Sequence, residues 1–307
     1  MFILAVASFL FYFGWKIGKP TSGSGKKVEV KIENGESTWE IGSKLEGKNL
    51  VSSDWVFYLY MKFKEKSILT GNYLIPNNLS IIEVAGILEK GEHQVKKITI
   101  LEGWRREQIA VYLEEHAGIS AEEFLMATKN YEGRLFPDTY DLTDEPTADE
   151  AVTKMVDDYN LRTLNFQLSE DDLILASIIE REAADDSERA DIARVFVNRI
   201  KKGMKLEADP TVQYQKDSEN YSEVGLKNYK FWQKLETSDL KKITGEYNTY
   251  LISGLPPKAI CNPGVKSIEA ALNPSTHNYL YFLHGKDGKI HFSATELEHN
   301  KQKALYL

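Results

Sequence analysis

Asp171 to Tyr214 reads DDLILASIIEREAADDSERADIARVFVNRIKKGMKLEADPTVQY, and the reading of this stretch decides how the rest of the chain is organised. Asp171 and Asp172 open a helix, because carboxylates accept from free N–H groups and favour the positive end of the dipole. The body, Leu173 to Ala184, is apolar on nearly every side until Glu180 and Glu182 interrupt it. Such a helix belongs in a core, where carboxylates are costly to bury. At about 100° per residue the two glutamates point about 200° apart, so they cannot share one site. Glu182 continues the stripe of Leu175, Ile178 and Ile179 and is expected at the edge of the core. A carboxyl held against apolar surface keeps its proton near neutrality, which makes Glu182 the candidate general acid. The competing reading is a solvated helix end with Arg181 and Arg189 as ion-pair partners.

Downstream, Ser187 is positioned to cap a second helix, Glu188 to Lys202, with Ile192, Val195, Phe196 and Ile200 as its buried stripe and Gly203 as its stop. Asn198 and Arg199 either reach the site or cover the helix. Asp209-Pro210-Thr211 then reads as a turn presenting Val212, Gln213 and Tyr214, and Gln213 offers both a donor and an acceptor. Gln215 to Gly245 reads as a long polar loop. Tyr247-Asn248-Thr249-Tyr250 reads either as half of the site or as a strand, and GLPPKAICNPG (Leu255 onward after Gly254) as a rigid wall. Ser267 to Leu272 is a short helix, Tyr279 to Ser293 a β-hairpin, and Thr295 to Leu307 a final helix.

Upstream, three segments share one plan: VKIENGESTWEIGSKLE from Val30, YLIPNNLSIIEVAGILEKG from Tyr73, and ITILEGWRREQIAVYLEE from Ile98. Each is a short alternating strand, a turn, a cap and an amphipathic helix, with Ser37 and Ser80 as caps and none in the third copy. Ser53 to Lys64 is a further helix. Ala117 to Leu168 is mostly helical, broken by a turn at Phe136 to Tyr140, since Pro137 pushes its predecessor toward extended backbone. Met1 to Ile17 is an apolar run followed by Lys16 and Lys19, a little under the roughly 20 residues of a spanning helix. With no basic region before it and no small-residue cleavage site, it reads as a membrane anchor, and the missing upstream lysines suggest an absent N-terminal piece. Residues 18–27 read as a linker, PTSGSGKK being a flexible tether; its GSGK lacks the glycine spacing and the Ser or Thr of a phosphate loop.

Composition bounds the answer. The 307 residues hold one large or two moderate domains, and a net charge of −8 argues against a nucleic-acid partner. The single cysteine, Cys261, excludes an internal disulfide. The six histidines lack ligand spacing, so no metal is expected.

The pattern SIIEREA-x3-SER-x3-IARVFVNRIKKGMKLEADPTVQY, with LFPDTYDL at Leu135, YNTYLISGLPPKAICNPG at Tyr247 and YLYF at Tyr279, closely resembles the MltG/YceG-like family of endolytic murein transglycosylases. The resemblance runs in family order from about residue 28 onward and is weakest in Gln215 to Gly245. It implies an α+β fold: a membrane anchor at 1–17, a LysM-like α+β module at 28–95 and a mixed α+β catalytic domain at 96–307. It makes Glu182 the catalytic residue and the peptidoglycan glycan strand the substrate. Asp138, Asp209, Thr211, Gln213, Tyr214, Tyr247 and Asn248 become substrate-binding candidates; the Tyr247–Asn248 pair is similar to the tyrosine that orients the acid and the asparagine that binds saccharide in lytic transglycosylases. No cofactor is implied. The partners implied are glycan strands, the cell-wall synthesis machinery and, through a single-pass anchor, the bacterial cytoplasmic membrane, with the catalytic domain outside it.

One carboxyl suffices for such an enzyme if the substrate supplies its own nucleophile, the C6 hydroxyl of N-acetylmuramic acid, closing a 1,6-anhydro ring without consuming water. The rivals are a hydrolytic muramidase, with Asp209 as its second carboxylate, and a non-catalytic wall-binding protein. A pyridoxal-dependent aminodeoxychorismate lyase is disfavoured because no Gly-rich phosphate loop accompanies a candidate Schiff-base lysine.

Overall fold

Capping residues mark where the first helices begin. The computed structural model describes residues 2–91, 95–143 and 145–307. The chain divides into two compact units, Met1–Lys97 with Asp141–Glu145, and Ile98–Tyr140 with Pro146–Leu307. The first unit holds helix α1 (Phe2–Gly18), strand β1 (Lys27–Ile32), α2 (Thr38–Gly47), α3 (Asp54–Lys64), β2 (Gly71–Pro76) and α4 (Ile81–Lys90). Ser37 and Ser80 both form capping boxes, with Glu40 and Glu83 as reciprocal partners. β1 and β2 pair antiparallel with Val30 opposite Tyr73, and the pleat turns Val30, Ile32, Tyr73 and Ile75 inward. They meet Leu45, Phe57, Met61 and Leu88 in the core of this unit.

The membrane anchor expected at 1–17 is not found. At 17 residues and about 1.5 Å per residue, α1 reaches about 25 Å, short of a hydrocarbon core of about 30 Å. No helix among the described residues is long and apolar enough to cross a membrane, and the single-pass placement that rested on one falls with it. Instead Phe13 and Ile17 of α1 pack on the unit's core, with the Phe13 ring 6.4 Å from that of Phe63. The expected tether is also fastened. The Thr21 N–H donates to the Leu79 carbonyl (3.0 Å), the Thr21 hydroxyl to that of Asn77 (2.6 Å), and the Asn77 N–H to that of Lys26 (3.0 Å).

Strands β3 (Val95–Thr99) and β4 (Thr139–Thr143) form a second two-stranded sheet, and the division between units runs through both. Between them lie α5 (Arg106–Ala117) and α6 (Ala121–Ala127). There follow α7 (Ala148–Thr163), α8 (Glu170–Glu182), α9 (Arg189–Lys201), α10 (Asp209–Val224), α11 (Asp239–Lys242) and α12 (Val265–Leu272). The chain ends in hairpin β5 (Tyr281–His284) and β6 (Ile290–Ser293), then α13 (Glu296–Tyr306). The fold is mixed α+β, about half helical with small sheets. Each of the three repeated segments is a strand followed by a helix, and in the third the Arg105 side chain makes no cap hydrogen bond.

α8 is the core helix its composition requires. Ile174, Leu175, Ile178 and Ile179 are buried against Ile192 and Phe196 of α9 and Ile268 of α12. Its cap is Ser169, two residues before the expected aspartates, and Asp172 completes the box. Three further expectations are corrected. Ser187 does not cap α9: it sits in a one-turn 3-10 helix, Asp186–Glu188, capped by Asp185. Ile200 is 37% exposed while Arg199 is buried, because carbonyl partners for the guanidinium lie on the inner side. Asp209-Pro210-Thr211 is not a turn but the first turn of α10, where proline's fixed φ suits a helix start, and the helix absorbs the beginning of the expected loop.

Asn262 joins three segments of the second unit. Its side-chain oxygen accepts from the buried Leu135 N–H (2.9 Å), and its amide nitrogen donates to the carbonyl of half-buried Trp104 (2.9 Å) and to buried Glu132 (3.1 Å). Asn262→Ala leaves the buried Leu135 N–H without its partner, while the Trp104 carbonyl keeps the backbone N–H of residue 262 and Glu132 keeps the Arg106 N–H; it should cost about 1–3 kcal/mol, which a thermal melt reads as a fall in Tm. An unchanged Tm would show that the three segments hold together without it.

Candidate active site

The two glutamates at the end of α8 meet opposite fates. Glu180 is tied down: one carboxylate oxygen accepts from the Gly264 N–H (3.0 Å) and the Ser267 hydroxyl (2.8 Å), and the other lies 3.2 Å from the Arg189 guanidinium. It fastens α8 to the start of α12. Glu182, on the opposite side, is the last residue of the helix and lines a cleft of about 480 Å3. The cleft is walled by Phe196 and Arg199 of α9, Asp209 at the start of α10, Tyr250, hairpin β5–β6, and His299 and Lys303 of α13.

Burial pushes the Glu182 carboxyl up to about 8, and the Asp209 carboxylate beside it adds to the rise. Arg199, the Asp209 backbone N–H that Glu182 accepts from, and Arg181 pull the other way. A position at a helix C-terminus also disfavours a negative charge. Arg199 cannot answer Glu182 fully, because its guanidinium is already occupied. It donates to the carbonyls of Leu280 (2.6 Å) and Leu206 (2.7 Å), pairs with Glu207 (3.1 Å) and lies 5.0 Å from the Tyr281 ring centre. Glu182 is therefore a neutral acid at pH 7, able to donate.

Of the candidates read from the sequence, the structure brings Glu182 and Asp209 to this cleft. Asp209 accepts from the Tyr250 hydroxyl (2.7 Å). Thr211 lies buried behind them. Its hydroxyl donates to the Ala208 carbonyl (2.7 Å) and meets the Thr249 hydroxyl (2.8 Å), which clamps the start of α10 to the 247–250 segment. Asn248 is fully buried, its amide donating to the carbonyls of Leu240 (3.1 Å) and Ile243 (2.6 Å) while its oxygen accepts from the Tyr250 N–H (2.9 Å). The segment is thus a stitched turn rather than a strand. Tyr214 and Tyr247 pack on each other with ring centres 4.7 Å apart, and the buried Arg105 guanidinium sits 4.1 Å from the Tyr214 ring. Gln213 donates to the Trp232 and Gln233 carbonyls (3.3 and 2.9 Å). Asp138 pairs with Arg162 (2.5 Å). None of the last five lines the cleft.

Tyr250 was within reach of the sequence as the second tyrosine of YNTY. His299 and Lys303 were not: the local signals of their helix, its Thr295–Glu298 capping box and its amphipathic pattern, mark the helix but not what it faces, and tertiary packing turns the two residues to the cleft.

A profile of the YceG-like family matches residues 30–304. A Bacillus subtilis (strain 168) protein named endolytic murein transglycosylase is 30% identical over 340 residues, covering 97% of this chain and 90% of that protein. One of the same name from Streptococcus pneumoniae D39 is 27% identical over 99% of this chain and 64% of its own length. The fold is similar to the crystal structure of a yceG-like protein from Listeria monocytogenes, with a TM-score of 0.56, 31% identity, and coverage of 91% of this chain and 100% of that one.

The electrostatics carry a sign. Glu182 holds its proton to a higher pH in the folded chain than in the unfolded one, where a glutamate titrates near 4.3. Folding then takes up a proton between about pH 4 and pH 8, and the contribution of this group to stability falls through that window. Glu182→Gln should be more stable than the parent at pH 8, by roughly 4 kcal/mol, and nearly equal to it at pH 4. Urea denaturation at the two pH values measures the gap; one that fails to widen would mean that the carboxyl is ionised in the native state.

Proposed function

This chain belongs to the YceG-like family, and on that premise we propose that it is a lytic transglycosylase that cuts within peptidoglycan glycan strands. The observation that carries the reading is Glu182, a carboxyl kept neutral in a cleft where the neighbouring acid, Asp209, is already engaged by Tyr250 and Glu207 by Arg199. Glu182 donates its proton to the oxygen of the bond between N-acetylmuramic acid and N-acetylglucosamine. As carboxylate it then takes the proton of the muramic C6 hydroxyl, which closes on C1. The product end is a 1,6-anhydro ring, and the acid is regenerated without water entering the bond change. Ending strands in this way stops their elongation and brings the enzyme to the synthesis machinery.

The long polar cleft suits a glycan, since charged and amide groups with aromatic edges (Tyr250, Tyr281, Phe282) satisfy both faces of a sugar ring. We further read residues 28–95 as a LysM-like glycan-associated module and 96–307 as the catalytic domain. The β1–α2–α3–β2 order, with its two strands antiparallel, supports the first reading.

The rival with a specific observation behind it is hydrolysis, because Asp209 lines the same cleft and two carboxylates can direct a water. Digestion of purified sacculi in isotopically labelled water separates the two. The proposed reaction gives anhydro ends without label, and Glu182→Gln lowers their formation by about 10²–10⁴-fold. Label at the reducing ends would establish hydrolysis instead.

A further inference from the structure

Asp209 touches two partners through two different parts of itself. Its backbone N–H, at the first turn of α10, donates to the Glu182 carboxyl, while its side-chain oxygen accepts from the Tyr250 hydroxyl at 2.7 Å. The tyrosine is delivered with unusual care. Its N–H donates to the buried Asn248 oxygen (2.9 Å), its carbonyl accepts from Lys205 (3.0 Å), and the Thr211–Thr249 clamp holds the two backbones together. Two residues before Asp209, Glu207 sits in the left-handed region at φ 51°, a conformation that costs a non-glycine residue about 1 kcal/mol or more. A buried amide and a pair of hydroxyls thus converge, through Tyr250, on one carboxylate that lines the same cleft as Glu182.

We propose that Asp209, aimed by Tyr250, is a positioning residue: a fixed negative charge that keeps the proton of the cleft on Glu182 and holds that acid in line by its N–H. The inference rests on Glu182 being the acid. A carboxylate held there by the Tyr250 hydroxyl discourages a second charge on Glu182. The other groups facing Glu182 do not replace it. Arg181 on α8 and Arg199 on α9 oppose its effect. Glu207 is spent on Arg199, and His284 of β5 on Glu188 (2.9 Å). On α13, burial holds His299 below the usual histidine range, and Glu296 and Lys303 line the cleft with opposite charges.

The test is the pH profile of kcat/KM on purified sacculi, with melting temperature recorded for each variant. Asp209→Asn keeps an oxygen for Tyr250 but removes the charge, and should move the basic limb down by about one pH unit. Asp209→Glu, which restores the charge, should return the limb to its parental place. Tyr250→Phe leaves the charge but not its aim, so kcat should fall about tenfold with KM within about twofold. A profile for Asp209→Asn that superimposes on the parent, or a Tyr250→Phe variant that raises KM with kcat intact, overturns the proposal. Cleavage that survives Glu182→Gln would instead overturn the assignment of the acid on which it stands.

Discussion

A helix that is apolar on every face can be buried only if the carboxylates at its end are each given something to do. In α8 the two are separated by one residue, so helical geometry sends them to opposite sides. One side is filled by α12, and there Glu180 is neutralised by Arg189, Ser267 and the Gly264 N–H. The other side is left as a cleft, and there Glu182 is neutralised by keeping its own proton. Ion pairing and retention of a proton are thus two solutions to one desolvation problem, set by the spacing E-x-E. The same α8 side chains that exclude water from the core make the acid reluctant to ionise.

Much of this was legible in the chain. The opposition of the glutamates follows from the helical repeat, and the edge position of Glu182 from the stripe Leu175, Ile178, Ile179. The hairpin, the repeated strand–helix units and the caps at Ser37 and Ser80 follow from local chemistry, and the structure has all of them. What failed to show was whatever depends on partners distant in sequence. Ile200 fits the apolar period of α9, yet Arg199 goes inside, because carbonyls of Leu206 and Leu280 await it there. Asp209-Pro210 has the composition of a turn, and the same two residues serve as well for a helix start.

The motif residues divide along the same line. Thr211 and Asn248 read as candidates for touching a ligand, but their polar atoms are spent in the interior, where with Thr249 they hold Tyr250 and Asp209 in place. A short polar motif does not disclose which of its members faces outward; burial decides that. The apolar start of the chain gave a parallel lesson. Its composition suits lipid, yet Phe13 and Ile17 find their apolar surroundings in the protein's own core, which periodicity within a single segment could not reveal.

The span that follows α10 is pinned at both ends of a short arc, with Lys216 pairing Asp239 (2.7 Å) beside the later anchor. Gln213 and Asp217 hold its early part through the backbone of Trp232 and Gln233, and Asn248 holds its later part through Leu240 and Ile243. Between these anchors, Lys234 to Ser238 carries little of the geometry that aims Tyr250. Doubling the length of a flexible connection costs only about 0.6 kcal/mol. This short arc is therefore the place where the enzyme can be lengthened, shortened or fitted with a new recognition element while its chemistry stays where it is.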